Sequence, residues 1–500
     1  MKQSYGRLLA ARLMSPAAAM GLAAAAVVGV SACHNSSSTP CPNLSQATTV
    51  LGQSTFATGA NSPVNASSMS SPQSVGYDPA LGNLYVADTF NNRVLVFKGF
   101  TSSSSFPANG TAADYVLGQP CFESTTAAAG ATTSVPAICG SGVLNAYGLN
   151  KPTKVWVDPN TGNTAITDSG NNRVLIFTSP PTDSTVGPNV IVGQTSIDNS
   201  SPNMASGSGT TNSVNASGLA TPYSAIIVSG KLAVADKGNN RVLIWSTVPT
   251  TDGAAADDEL GQLAENSAGG DVCTTNTGVS GSTGYCFASN TTNQGDTFIL
   301  TNSSYQVAMN APTDLGTNGS TFYVTDSGDN RVIVYTSFPA PTSATSLSPY
   351  NQQPQYFLGQ AKFNLITSAS GSQGLFNPGG VFSDGSSNLY VADTSNNRIL
   401  QYNPVTVFGQ AAVYVFGQQD FSHTAYNDPD QNNEPGDQRN NPPTLNAVNG
   451  TLWSPGGVLA NSSLNMLFVA DTTNNRVLIY PEETNGVSDG VNGTFPNLCS

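Results

Sequence analysis

Histidine is nearly missing from this chain: His34 and His423 are the two in 500 residues. A multi-histidine zinc centre therefore has no ligands to draw on. Charge is scarce as well, at 9% of residues, and basic residues are the scarcer sign, 16 Lys and Arg against 30 Asp and Glu. A formal charge of -14 repels phosphate backbones, so no nucleic-acid partner is expected. No phosphate-cradling glycine loop or nucleotide motif occurs, and no Ser/His/Asp set suggests itself as a nucleophilic triad. Beyond the first thirty-odd residues no apolar run is long enough to span a bilayer, which takes about 20 residues. Long amphipathic helical stripes are absent too. What remains is rich in Gly, Ser, Thr and Asn, with short β-branched runs between turn residues, the composition of an all-β protein.

The N-terminus reads as an export signal. Lys2, Arg7 and Arg12 precede an Ala- and Val-rich stretch from about Pro16 to Val30. Removing these three basic residues takes the formal charge to about -17. The stretch ends in Val30-Ser31-Ala32-Cys33, which resembles the lipobox of bacterial lipoproteins. That resemblance implies cleavage before Cys33 and a lipid on its new N-terminus, whereas ordinary signal-peptidase cleavage after Ala32 is the alternative. His34 at the next position, in place of Asp, implies sorting to the outer membrane. The expected organisation is a signal peptide over 1–32, a Ser-rich lipid-anchored tether over 33–47 and a folded body over 48–500. Assigning Cys33 to lipid leaves six of the seven cysteines for an oxidising compartment. Their simplest pairing is Cys121 with Cys139, Cys273 with Cys286 and Cys41 with Cys499, one choice among the fifteen that six cysteines allow.

Internal repetition is the strongest signal. Six segments align without gaps: LYVADTFNNRVLVF from Leu84, TAITDSGNNRVLIF from Thr164, LAVADKGNNRVLIW from Leu232, FYVTDSGDNRVIVY from Phe322, LYVADTSNNRILQY from Leu389 and LFVADTTNNRVLIY from Leu467. Each reads as strand, polar turn, strand; in the first copy the strands are Leu84–Asp88 and Arg93–Phe97. A Gly-Gln motif recurs between them, as in VLGQSTF from Val50 and VLGQPCF from Val116. A short apolar run also follows each of Pro72, Pro152, Pro222, Pro312, Pro378 and Pro455. Four strands repeated six times, about 70 to 90 residues apart, predict a six-bladed β-propeller. The chain opens on a Gly-Gln strand and its last copy lacks one, so the N-terminal strand is expected to complete the last blade. The hairpins resemble the NHL repeat in their Asp, Asn and Arg pattern, from about Val50 to Tyr480. The added Gly-Gln strand departs from the usual NHL consensus and implies a bacterial subfamily.

The repeated charges read as architecture. Asp88, Asp168, Asp236, Asp326, Asp393 and Asp471 each stand five positions before Arg93, Arg173, Arg241, Arg331, Arg398 and Arg476. A catalytic role would require six identical sites, whereas a buried Asp–Arg pair with loop carbonyls on the guanidinium suits every blade. Propeller ligands usually bind on the face where inner strands begin, and the hairpin turns and the long connections to each proline share that face. Peptidyl-hydroxyglycine amidating lyases, which carry NHL repeats, hold zinc through histidines this chain lacks. Gluconolactonase-like and paraoxonase-like propellers use a calcium at the channel mouth. Here the corresponding positions are Ser74, Lys154, Ser224, Asp314, Gly380 and Gly457, too few carboxylates for a calcium cage. Asp428, Asp430 and Asn432 match the opening of an EF-hand loop, but Asn433 and Arg439 stand where Gly and Glu belong, so a solvated acidic loop is expected. Lys154, Tyr223 and Asp314 are the candidate binders of a small polar ligand across the channel mouth, with a structural polar lining as the rival reading. Trp156, Trp245 and Trp453 are expected to pack. No cofactor is expected, calcium being the one left open. The function expected is a monomeric, non-catalytic binding or scaffolding module of the bacterial envelope, touching the membrane through its lipid alone. It would recognise a protein or envelope polymer through the loop face. The alternative is a metal-dependent propeller enzyme of the lyase or lactonase kind.

Overall fold

In the computed structural model the residues described are 46–57, 63–102, 106–128, 139, 146–203, 214–261, 297–300, 304–307, 309–339, 354–361, 365–385, 387–418, 420–428 and 450–481. The signal peptide, Cys33, Cys41, Cys273, Cys286, Cys499, Asp430, Asn432, Asn433 and Arg439 lie outside them. Six four-stranded antiparallel sheets follow one another along the chain and form a six-bladed β-propeller. Blade one runs from an inner strand, Pro72–Asp78, through Asn83–Asp88 and Arg93–Phe97 to an outer strand, Tyr115–Leu117. Blades two to five repeat this order from the inner strands Pro152–Val157, Ser224–Val228, Pro312–Thr317 and Val381–Ser383. Blade six takes Gly457–Asn461, Met466–Asp471 and Arg476–Pro481 from the C-terminal part of the body. Its fourth strand is Thr49–Leu51, paired antiparallel so that Thr49 faces Ile479 and Leu51 faces Val477. This strand exchange closes the ring. A separate hairpin, Thr297–Leu300 with Ser304–Val307, stands outside the blades.

The core lies between blades, because each sheet buries both faces against its neighbours. Leu84, Val86 and Leu95 of blade one meet Phe468, Ala470 and Val477 of blade six in one apolar cluster. Tyr85, Val94 and Val96, on the other face of blade one, meet Val155, Ile166 and Leu175 of blade two. Period-2 alternation thus serves two buried interfaces, and the hairpin strands read as nearly continuous apolar runs.

Each Gly-Gln glycine is required twice over. Gly118 sits at φ +79°, and a Cβ there would lie 2.3 Å from the Leu149 side chain. The glutamine that follows turns inward: Gln119 Nε2 donates to the carbonyls of Asn92 at 2.8 Å and Thr126 at 2.9 Å. The motif therefore ends the outer strand and fastens it to the hairpin turn beside it.

Candidate functional site

The six Asp–Arg pairs form one buried knot per blade. In blade one, Arg93 Nε donates to Asp88 Oδ2 at 2.7 Å, and both side chains are fully buried. The other carboxylate oxygen accepts the Ser70 N–H at 2.6 Å, while Asn91 Nδ2 donates to Oδ2 at 2.9 Å. Arg93 Nη2 reaches the carbonyls of Asn65 at 3.0 Å and Ser68 at 2.8 Å, and Nη1 that of Phe122. One guanidinium thus ties the loop entering its blade to the loop leaving it. Arg173–Asp168, Arg241–Asp236, Arg398–Asp393 and Arg476–Asp471 repeat the Nε contact at 2.7–2.8 Å. Burial pushes the carboxyls of Asp88, Asp168, Asp236, Asp393 and Asp471 up, and the guanidinium beside each pulls it back down. Blade four differs. Asp329 replaces the usual Asn and adds a second carboxylate, 3.0 Å from Arg331 Nη2. Asp326 is pushed up to about 7 by burial, with Arg331 lowering it and Asp329 raising it further.

The asparagine before each arginine joins blades. Asn92, Asn172, Asn240, Asn330, Asn397 and Asn475 all adopt left-handed backbone angles, φ 53° to 57°. Their Oδ1 atoms accept the N–H of the residue preceding the next blade's proline: Lys151 at 2.8 Å, Thr221 at 2.7 Å, Ala311 at 2.9 Å, Asn377 at 2.8 Å, Ser454 at 2.8 Å and, across the closure, Ser71 at 2.9 Å. Turn chemistry alone pointed to the left-handed angles; the link to the next blade was not readable from it.

At the centre, the candidate ligand residues bind one another. Lys154 Nζ from blade two lies 2.9 Å from Asp314 Oδ1 and 3.0 Å from Oδ2 of blade four, and both side chains are buried. Asp314 also accepts the N–H of Leu315 at 2.9 Å and, from blade five, of Val381 at 3.0 Å. Gly379 and Gly380 immediately precede the inner strand of that blade, and a Cβ on Gly380 would lie 3.5 Å from Asp314 Oδ2. Tyr223 stands apart from this pair. Its hydroxyl donates to Gln73 Oε1 of blade one at 2.9 Å, and Lys237 Nζ lies 4.2 Å from its ring centre. Burial and the charge of Asp314 push the Tyr223 hydroxyl up to about 12. Gln73 and Lys237 were not distinguished by sequence reading, since neither residue type recurs at its position in the other blades. Among the described residues no group of three or more His, Cys, Asp or Glu is placed to hold a metal ion.

The loop face carries exposed aromatic surface on three consecutive blades. Phe90, in the hairpin turn of blade one, is 61% exposed, and Phe376, before Pro378 of blade five, is 43% exposed. Between them, Tyr426 and Trp453 stack with ring centres 4.5 Å apart and planes 13° apart. Trp453, expected to pack, does so at the loops, half-buried against Tyr426. On the same face Cys121 and Cys139 form a disulfide with Cα atoms 5.4 Å apart. The loop after blade five corrects a second expectation. Asp428, read as the start of a solvated acidic segment, is buried, because the neighbouring Asn427 exchanges side-chain hydrogen bonds of 2.8 Å with Asn474 of the blade-six hairpin.

No known family profile and no curated protein matches the chain. Solved β-propellers do resemble it distantly. A Cps50 (Swd1) β-propeller domain from Myceliophteria thermophila is 9% identical over 82% of this chain and 83% of that one, with a TM-score of 0.38. A gluconolactonase from Xanthomonas campestris is 10% identical over 83% and 86%, with a TM-score of 0.38. An auxiliary nutrient binding protein from Bacteroides thetaiotaomicron is 10% identical over 82% and 69%, with a TM-score of 0.39. These proteins differ in what they do, and at this distance none bears on the chemistry of this chain.

Proposed function

We propose that this protein is a non-catalytic binding module of the bacterial cell envelope, an NHL-type propeller that captures a protein or envelope polymer on its loop face. The observation that carries the reading is the aromatic arc of Phe376, Tyr426, Trp453 and Phe90 on consecutive blades. Exposed aromatic surface on a face built of long loops is a recognition surface before it is anything else. The channel mouth supports the same reading. Its carboxylate, Asp314, already accepts bonds from Lys154 and two backbone N–H groups, which leaves it poorly placed to ligate calcium or act as a base. Export through residues 1–32, lipidation at Cys33 and an outer-membrane address complete the proposal, and the lipid is its sole membrane contact. The protein acts as a monomer.

Crosslinking in living cells tests it. Full-length protein should capture a defined envelope partner, and Phe90→Asp combined with Phe376→Asp should abolish capture without lowering the melting temperature. Undiminished capture by that variant would show the arc to be irrelevant. Elemental analysis of protein purified without chelators tests the rival: one calcium per chain would restore the lactonase-like enzyme.

A further inference from the structure

Beyond the Lys154–Asp314 pair the inner strands border a cavity, to whose wall Lys154 contributes. It has a volume of about 220 Å³ and is lined by the inner strands of blades one, two, five and six. It opens at the turn after Asn461, which joins the first two strands of blade six, so it faces away from the loops.

Three of its lining side chains are aromatic: Tyr77, Trp156 and Phe382. The polar ends of the first two are committed elsewhere. The Tyr77 hydroxyl donates to the Phe100 carbonyl at 2.8 Å, and Trp156 Nε1 to the Ile227 carbonyl at 2.9 Å. What they present to the cavity is ring surface. Trp156, expected to be plain packing, thus packs on one side and lines an opening on the other.

The polar groups are few and opposed. Lys154 contributes to the wall, and among the described residues its ammonium bonds only to the Asp314 carboxylate. An ammonium has three N–H donors, so one remains for an occupant. Asp384 supplies a half-exposed carboxylate that accepts from Asn388, its N–H at 3.2 Å and Nδ2 at 2.7 Å, and Asn461 an amide whose oxygen accepts the Leu464 N–H at 3.0 Å while its NH₂ has no acceptor among the described residues.

We propose that this cavity binds the terminal pyranose ring of a neutral glycan. Aromatic faces match the C–H faces of a sugar ring, while an ammonium donor, an amide and a carboxylate match its hydroxyls. Charge selects among ligands. An anion meets Asp384 and a net negative protein, a cation finds only a carboxylate already bonded to Asn388 because Lys154 is paired with Asp314, and a neutral polyol needs no opposite charge. Size selects too, since the volume is below the roughly 300–1,000 Å³ of sites that enclose drug-sized ligands and suits a single ring. The site is independent of the loop-face reading, because it lies at the opposite end of the channel.

Calorimetric titration of the full-length exported protein tests the assignment. The probes are methyl glucoside, methyl galactoside and methyl N-acetylglucosaminide, with glucuronate and tetramethylammonium as charged counterparts. At least one neutral pyranoside should bind saturably. Ser463→Trp, at the exposed mouth, should weaken it about tenfold or more, and Asn461→Ala should weaken it less while preserving the fold. Capture on the loop face should be unchanged in both variants. Absence of saturable binding by every neutral pyranoside, preference for a charged probe, or binding that ignores both substitutions in folded protein would each overturn the proposal.

Discussion

The inter-blade asparagine at the ring closure offers the sharpest test of what holds the propeller together. Asn475 adopts φ +56°, and its Oδ1 accepts the Ser71 N–H at 2.9 Å, joining blade six to blade one. Asn475→Ala acts twice. It removes the acceptor from a half-buried backbone donor, a loss of about 1–3 kcal/mol. It also leaves in the left-handed region a residue without the short polar side chain that lets Asn adopt it, which costs about 1–2 kcal/mol. Together these give about 2–5 kcal/mol, measurable as a fall in the urea midpoint at unchanged slope. Asn475→Gly loses the same hydrogen bond but tolerates the backbone angle, so it should be milder by about 1 kcal/mol. Asn240→Ala and Asn240→Gly, between blades three and four, should show the same pattern, because Asn240 makes the equivalent bond to Ala311 at 2.9 Å. Equal losses for Ala and Gly would show that backbone angle contributes nothing. No loss in either would show that the staple contributes nothing, and the reasoning would fall.

Lys154→Met strands the buried Asp314 carboxylate and should cost about 3–5 kcal/mol in chemical denaturation, whereas adding Asp314→Leu should recover much of it. Gly118→Ala combines φ +79° with a 2.3 Å clash and should destabilise clearly more than Gly385→Ala, where φ is +80° and nothing lies within 4 Å; thermal melts of the two separate clash from backbone strain. Blade four should be sensitive to pH. The Asp326 carboxyl rises from 3.8 to about 7 on folding, so its contribution to stability is present below the unfolded value and is lost as pH climbs towards 7. Asp329→Asn removes a neighbouring negative charge, so denaturation measured from pH 4 to 7 should show a shallower decline in this variant than in the native chain. An equal decline in both would separate Asp329 from the effect.

The local sequence determined the architecture because a propeller blade is a local object. All four strands of blades one to five come from consecutive stretches of chain, and the same apolar runs, turns and Gly-Gln signal recur in each, so periodicity located them without tertiary information. Ring closure was also legible, since an unmatched Gly-Gln strand at one end and a missing one at the other leave a single economical pairing. The repeated Asp–Arg spacing pointed to a shared geometric role because six copies argue against chemistry. What tertiary structure alone decided concerns residues that meet across the axis or between blades. Lys154 and Asp314 are 160 positions apart, yet they lie 2.9 Å apart because the ring brings the inner strands of blades two and four to a common centre. The fifth blade joins them through the Val381 N–H, 3.0 Å from Asp314 Oδ2, a proximity no local pattern encodes. The aromatic arc likewise unites Phe376 and Trp453, each two residues before its proline, with Phe90 of a hairpin turn, at repeat positions where the other blades carry no aromatic residue. Repeats announce what every blade has in common, whereas a binding site is made where the blades differ, and only the assembled ring brings those differences together.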